Sequence, residues 1–114
     1  MRKLVDKTVQ EFLLSLLDEE TEFWVIIKDL TTSNHTLTRD EIEMLSKAVV
    51  SELIEKYGVE EIDPLTRKIH KISVPQASKK IDNIFTHAPH RLPTIGDGFW
   101  LIKVENTENI LDRV

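Results

Sequence analysis

The sequence predicts a small α+β protein, with one domain over residues 1–104 and a loose tail at 105–114. A chain of 114 residues is near the usual size of one domain and can bury one hydrophobic core. Hydrophobic residues make up 40% and charged residues 31%, as in a folded globular protein. Two segments start with helix-capping sequences, while others are short, apolar and rich in β-branched or aromatic residues. We therefore expect both helices and strands.

The first element is predicted to be an amphipathic helix over residues 3–18. Its apolar residues recur in steps of three and four, which places them on one side of a helix. They are Val5, Val9, Phe12, Leu13, Leu16 and Leu17. We also expect this helix to offer a surface for a homodimer. The next apolar run, residues 23–27, is short, β-branched and aromatic, which favours a strand buried on both faces.

The most clearly marked helix follows Thr38. Thr38 and Glu41 have the spacing of a capping box, and Leu37 can pack onto Ile42 in the first turn. Gly58 can adopt the left-handed conformation that ends many helices. The sequence therefore predicts a helix over residues 39–57.

Residues 59–72 allow two interpretations. Ile62, Leu65, Ile69 and Ile72 have spacings that fit a short helix after Pro64. Alternatively, residues 68–74 form an edge strand. We favour the helix.

A second capping box, Ser73 to Gln76, predicts another helix over residues 74–88. Its buried side is predicted to contain Ala77, Ile81, Ile84, Phe85 and Ala88. After it, residues 92–95 and 99–104 are predicted to be two strands of a β-hairpin. Gly96, Asp97 and Gly98 would form its turn, because glycine supplies the positive φ angles that tight turns require.

Charge is divided unevenly along the chain, although the net charge is only −5. Residues 66–91 contain six Lys or Arg and one acid, a net +5, and the other 88 residues carry nine basic and nineteen acidic groups, a net −10. The helix predicted over residues 74–88 lies inside the basic segment. Its outward side is predicted to carry Gln76, Lys79, Lys80, Asn83, Thr86 and His87. Amides suit base edges and lysines suit phosphates, so this side could contact nucleic acid.

The order of a long helix, two shorter helices and a β-hairpin over residues 38–104 resembles winged helix-turn-helix DNA-binding domains. The resemblance implies a winged-helix-like three-helix core with a short antiparallel sheet and a C-terminal β-hairpin. It also implies that Gln76, Lys79, Lys80 and Asn83 lie on a recognition helix and that Asp97 lies at the tip of a wing. A second register takes helix 3–18 as the first helix and residues 23–27 as the first strand.

Two functions follow as expectations. The first is a small DNA-binding regulatory or accessory protein, in which four further basic residues hold the phosphates of duplex DNA: Arg67, Lys68, Lys71 and Arg91. The second is a protein-binding module without nucleic-acid contact, such as an immunity protein, antitoxin or phage-encoded inhibitor. In that case the basic segment would dock an acidic protein surface.

Several classes of protein are not expected. The chain has no cysteine, which excludes thiol catalysis, disulfides and cysteine-containing zinc sites. It has no phosphate-binding loop, nucleophile elbow or dinucleotide fingerprint, so we expect neither an enzyme nor a cofactor. His87 and His90 lack an evident third ligand, so no metal site is expected. Neither a membrane span nor a secretion signal is expected, and we expect a cytoplasmic protein.

Overall fold

The computed structural model describes residues 1–103, which form four helices and four short strands. The helices are α1 (Arg2–Leu16), α2 (Trp24–Ser33), α3 (Arg39–Tyr57) and α4 (Val74–His87). The strands are β1 (Thr21–Glu22), β2 (Val59–Ile62), β3 (Ile69–His70) and β4 (Trp100–Lys103). The predicted α+β class is confirmed. The predicted tail at 105–114, together with residue 104, lies outside the described residues.

The strands form one antiparallel sheet in the order β1-β4-β2-β3. Strand β4 therefore lies between β1 and β2, and Leu101 is paired with both Thr21 and Glu61. Leu101 is fully buried, which anchors this central strand in the core.

Helices α1, α2 and α3 pack against one another, and α4 packs on α3. The predicted apolar side of α1 is confirmed, since Val5, Val9, Phe12 and Leu16 are buried in the common core. Leu17 instead lies exposed just beyond the helix. None of the helices within residues 1–103 combines the length and the apolar character that crossing a membrane requires.

Both predicted capping boxes are present. At the start of α3 the Thr38 hydroxyl accepts the Glu41 amide proton at 3.2 Å, and the Glu41 carboxylate accepts the Thr38 N–H at 2.8 Å. Ser73 and Gln76 make the same reciprocal pair at the start of α4, at 3.2 and 2.9 Å. Gly58 has a φ angle of 65° and ends α3 as predicted.

The strand predicted at residues 23–27 is wrong, because Trp24 begins helix α2 and Phe23 is its N-cap. The buried residues are Phe23, Ile26, Ile27 and Leu30. Their spacing of three, four and seven residues is that of one helix side. The apolar run at residues 23–27 ends before Leu30. Taken alone, it is continuous and therefore resembles a buried strand more than the start of a helix.

The helix predicted over residues 65–72 is also wrong, and the edge-strand alternative is confirmed for Ile69–His70. The Asp63 carboxylate accepts N–H groups of Leu65 and Thr66 at 2.8 and 3.1 Å, which closes a tight loop between β2 and β3. Arg67 has a φ angle of 64°, which a helix does not allow, and Leu65 is 91% exposed. The apolar spacing in this segment therefore does not mark a buried helix side.

The first strand of the predicted C-terminal hairpin is wrong. Residues 92–95 form no strand, and β4 pairs with β1 and β2 instead. The carbonyl of Phe99 accepts the Phe23 N–H at 2.8 Å, so the loop before β4 is held against the start of α2. Pro93 has no N–H to give to a ladder.

The helix-turn-helix unit expected over residues 65–88 is not formed, because α4 follows an edge strand and not a helix. A three-helix core with a short antiparallel sheet is present, but α1, α2 and α3 build it. Three interactions fix α4 on this core. The Arg39 guanidinium donates to the carbonyl of Phe85 and lies 5.0 Å from that residue's ring centroid, while Lys47 pairs with Asp82.

The close approach of Gly98 to Phe23 gives a test of the fold. A Cβ atom added at Gly98 would lie 3.0 Å from the Phe23 Cβ, and Phe23 is fully buried and stacked on Phe99. We expect Gly98→Ala to lower the free energy of unfolding by about 1–3 kcal/mol, measured by urea denaturation. Ile95→Ala, in the same loop but 73% exposed, should change it by less than about 0.5 kcal/mol. Equal stability of Gly98→Ala and the wild type would contradict the packing described.

Candidate anion-binding groove

A groove of about 360 Å³ runs between the edge strand β3 and helix α4. We call it the basic groove. Strand β3 and the residues after it supply His70, Lys71 and Ile72, and β2 supplies Glu61. Helix α4 supplies Gln76, Lys79, Lys80 and Asn83.

The helical repeat explains why four residues of α4 share this groove. Gln76, Lys79, Lys80 and Asn83 are spaced by three, four and seven residues, so they lie along one side of the helix. The opposite side carries Ala77, Ile81 and Phe85, which are buried in the core. The core therefore fixes which side of α4 is turned outward.

Five of the eight predicted site residues are brought together in this groove: Lys71, Gln76, Lys79, Lys80 and Asn83. The other three, Arg67, Lys68 and Arg91, do not line it. Arg67 and Lys68 belong to the loop between β2 and β3, and Arg91 belongs to the loop after α4. Of the four predicted phosphate-holding residues, Lys71 alone thus lies in the groove that the predicted base-reading residues line.

Two of the predicted cations are paired with acids from other parts of the chain. The Lys80 ammonium lies 2.7 Å from a carboxylate oxygen of Glu61, and Arg67 binds the carboxylate of Glu20. The Arg67 hydrogen bond lowers the pKa of Glu20, which keeps that acid ionised. These pairs cancel part of the positive charge that the sequence concentrates in residues 66–91.

Arg91 is paired as well, and its partner is the residue predicted to lie at a wing tip. The Asp97 carboxylate accepts a hydrogen bond from Arg91 at 3.2 Å and from the Thr94 N–H at 2.8 Å. The Arg91 hydrogen bond, aided by that of Thr94, lowers the pKa of Asp97 to about 2. Asp97 therefore stabilises its own loop.

Lys71 and Lys79 are the two groove lysines that remain exposed and outside any salt bridge within residues 1–103. Gln76 is less available, since its side-chain oxygen accepts the Ser73 N–H in the capping box. Asn83 is exposed beside Lys79. The groove therefore presents two free ammonium groups, one amide side chain and the paired Lys80 to a ligand.

Glu61, His70 and Ile72 were not predicted as site residues, although all three line the groove. His70 is paired in register with Glu61 across β2 and β3. The strand alternative for residues 68–74 contained a signal for two of them, because His70 and Ile72 share one side of an extended segment. Glu61 could not be placed beside Lys80 without knowing the packing of β2 against α4.

Comparison of the chain with protein-family models, with curated proteins and with solved structures gave no match in any of the three.

The Arg91–Asp97 pair predicts a measurable titration. Because the folded pKa of Asp97 is below its usual 3.8, the stability that this pair contributes is present above about pH 4 and is lost as the pH falls toward 2. We expect NMR detection of the side-chain carboxyl to give a midpoint near 2 in the wild type, rising toward 3.8 in Arg91→Gln. The pKa of Asp82, which is lowered mainly by Lys47, should stay unchanged in that variant. An Asp97 midpoint near the usual 3.8 in the wild type would show that the pair does not form.

Proposed function

We propose that this chain is a protein-binding module whose basic groove takes an extended acidic segment of a partner protein. The observation that carries the proposal is the combination of an edge strand with the exposed lysines Lys71 and Lys79 in one groove. The lysines attract carboxylates, and the strand edge binds a main chain.

Strand β3 supports the main-chain part of the proposal. It lies at the end of the sheet, so among the described strands it has a neighbour on one side only. An exposed edge offers N–H and C=O groups to an added strand, and several domains bind extended peptides in this way. His70 of β3 lines the basic groove, so we expect a strand added to β3 to lie near the groove lysines.

Charge complementarity supports the choice of an acidic partner. Three lysines and one glutamate line the groove, a net charge of +2 with His70 neutral. The chain as a whole carries −5. An acidic partner would therefore be repelled by most of the surface and attracted at the groove, which fixes both where and in which orientation it binds.

Side chains alternate between the two faces of a strand, so a peptide of alternating acidic and apolar residues is a specific test of the proposal. We expect a labelled ten-residue peptide of alternating glutamate and valine to bind in a fluorescence polarisation assay. The variant Lys71→Glu/Lys79→Glu should bind it at least about tenfold more weakly, because two attractive charges become repulsive. Both residues are exposed, so circular dichroism and thermal unfolding should match the wild type.

Three controls distinguish groove binding from general attraction. Lys3→Glu reverses one exposed lysine on α1 and should leave the affinity nearly unchanged. Lysine in place of glutamate in the peptide should abolish binding. Proline in place of valine should weaken it, since proline cannot donate the N–H that strand addition requires. Equal binding of the glutamate and lysine peptides, or an unchanged affinity in the folded double variant, would contradict the proposal.

Duplex DNA is a second candidate ligand. The observation in its favour is that Lys79 and Asn83 lie exposed on one side of α4, beside Gln76. Against it, Arg67, Lys80 and Arg91 are held by acids of the chain. A groove is also concave, whereas reading a major groove requires a protruding element.

Salt dependence separates the two candidates. With Lys68, Lys71 and Lys79 as the unpaired cations of the basic segment within residues 1–103, at most about three phosphates would be neutralised. We therefore expect any binding to random duplex to be weak, with a log K against log salt slope shallower than about −3. Tight binding with a steeper slope, lost in Lys79→Glu, would establish DNA as the ligand in place of an acidic peptide.

A further inference from the structure

A second pocket, of about 590 Å³, shares the Glu61–Lys80 ion pair with the basic groove. Glu61, His70 and Lys80 line both this pocket and the basic groove. Its other lining residues include Glu22 and Asp63, and the aromatic side chains of Phe99 and Trp100. We call it the carboxylate pocket. Three carboxylates and one lysine give its lining a net charge of −2 with His70 neutral, opposite in sign to the groove.

Glu22 is the unusual residue of this pocket. It is only 3% exposed, and within residues 1–103 its carboxylate forms no salt bridge. Both of its oxygens accept from the same donor, the Gly96 N–H, at 2.9 and 3.2 Å. A carboxylate can accept about four hydrogen bonds, and burying one without a cation is costly. Glu22 therefore keeps unused acceptor capacity at the wall of an open cavity.

The aromatic side chains give the pocket a second property that suits a cation. Trp100 is directly opposite Glu22 in the pairing of β1 with β4, and both residues line the pocket. Aromatic ring faces attract ammonium and guanidinium groups. The Lys80 ammonium already uses this environment, lying 2.7 Å from Glu61 and 5.7 Å from the Phe99 ring centroid. Glu22 and Trp100 remain for a second cation.

We propose that the carboxylate pocket binds an organic cation, a guanidinium or ammonium group on an aliphatic chain, between Glu22 and Trp100. A metal ion fits less well, because no group of three or more possible ligand side chains converges within residues 1–103. The cation could belong to a free amine or to an arginine or lysine side chain of a partner. The inference does not depend on the proposed function, since a small amine alone can test it.

The experiment uses agmatine as the cationic probe and butylurea as a neutral probe with a similar polar head. Both are titrated into isotopically labelled protein and followed by amide and indole NMR signals. We expect agmatine to shift the Gly96 and Gly98 amides and the Trp100 indole, all of which belong to the pocket lining. Butylurea should not shift them. Shifts of equal size with both probes, or no shift of these signals with agmatine, would overturn the proposal.

Two variants test which carboxylate binds the cation. Glu22→Gln keeps an oxygen that can accept the Gly96 N–H but removes the negative charge, and it should weaken agmatine binding at least about tenfold. Glu60→Gln removes a charge from the same sheet outside the pocket and should bind like the wild type. Unchanged affinity in folded Glu22→Gln would refute the site. If Glu22→Gln does not fold, the comparison of agmatine with butylurea on the wild type decides.

A third arm identifies the source of the cation. The glutamate–valine peptide is extended by one arginine, and its affinity is compared with that of agmatine on the wild type and on Glu22→Gln. A gain of more than about tenfold that Glu22→Gln abolishes would assign the pocket to a partner's side chain. Agmatine binding without any gain for the peptide would assign it to a free amine. Failure of the peptide alone leaves the agmatine result intact, so the two proposals can fail separately.

Discussion

Strand β4 is paired on both sides, with β1 on one edge and β2 on the other. The segments that it joins are far apart in the sequence, since Leu101 is paired with Thr21 and with Glu61. Loop closure over such distances costs conformational entropy, which the full burial of Leu101 and the stacking of Phe99 on Phe23 help to offset. The same pairing places Trp100 opposite Glu22 and so builds the wall of the carboxylate pocket. The carboxylate pocket thus depends on the central strand β4.

Short sequence patterns were sufficient to predict those features that depend only on residues nearby in the sequence. The capping boxes at Thr38 and Ser73 set the starts of α3 and α4, the glycine at position 58 sets the end of α3, and all three were predictable. The outward side of α4 followed from helical periodicity, so four groove residues could be named without a structure. These features depend on residues within one or two helical turns.

Non-local choices could not be predicted in the same way. Residues 92–95 and β4 have a glycine-containing turn between them, yet β4 pairs with strands forty and eighty residues earlier in the chain. Residues 65–72 have helical apolar spacing, but the Asp63 turn and the pairing of Ile69 with Ile62 produce a strand. In both cases the strand with which a segment pairs decides its structure, and a single sequence does not reveal which strand that is. The groove side formed by His70 and Ile72 was missed for this reason.

The Glu61–Lys80 ion pair explains how an acidic chain can present two surfaces of opposite charge so close together. As a pair it is nearly neutral, and it lines both cavities. The basic groove also contains the exposed ammonium groups of Lys71 and Lys79, and the carboxylate pocket contains the buried residue Glu22. Because each cavity attracts the charge that the other repels, a ligand that reached both could bind in one direction only. The charge split visible in the sequence would then determine the orientation of the ligand as well as its affinity.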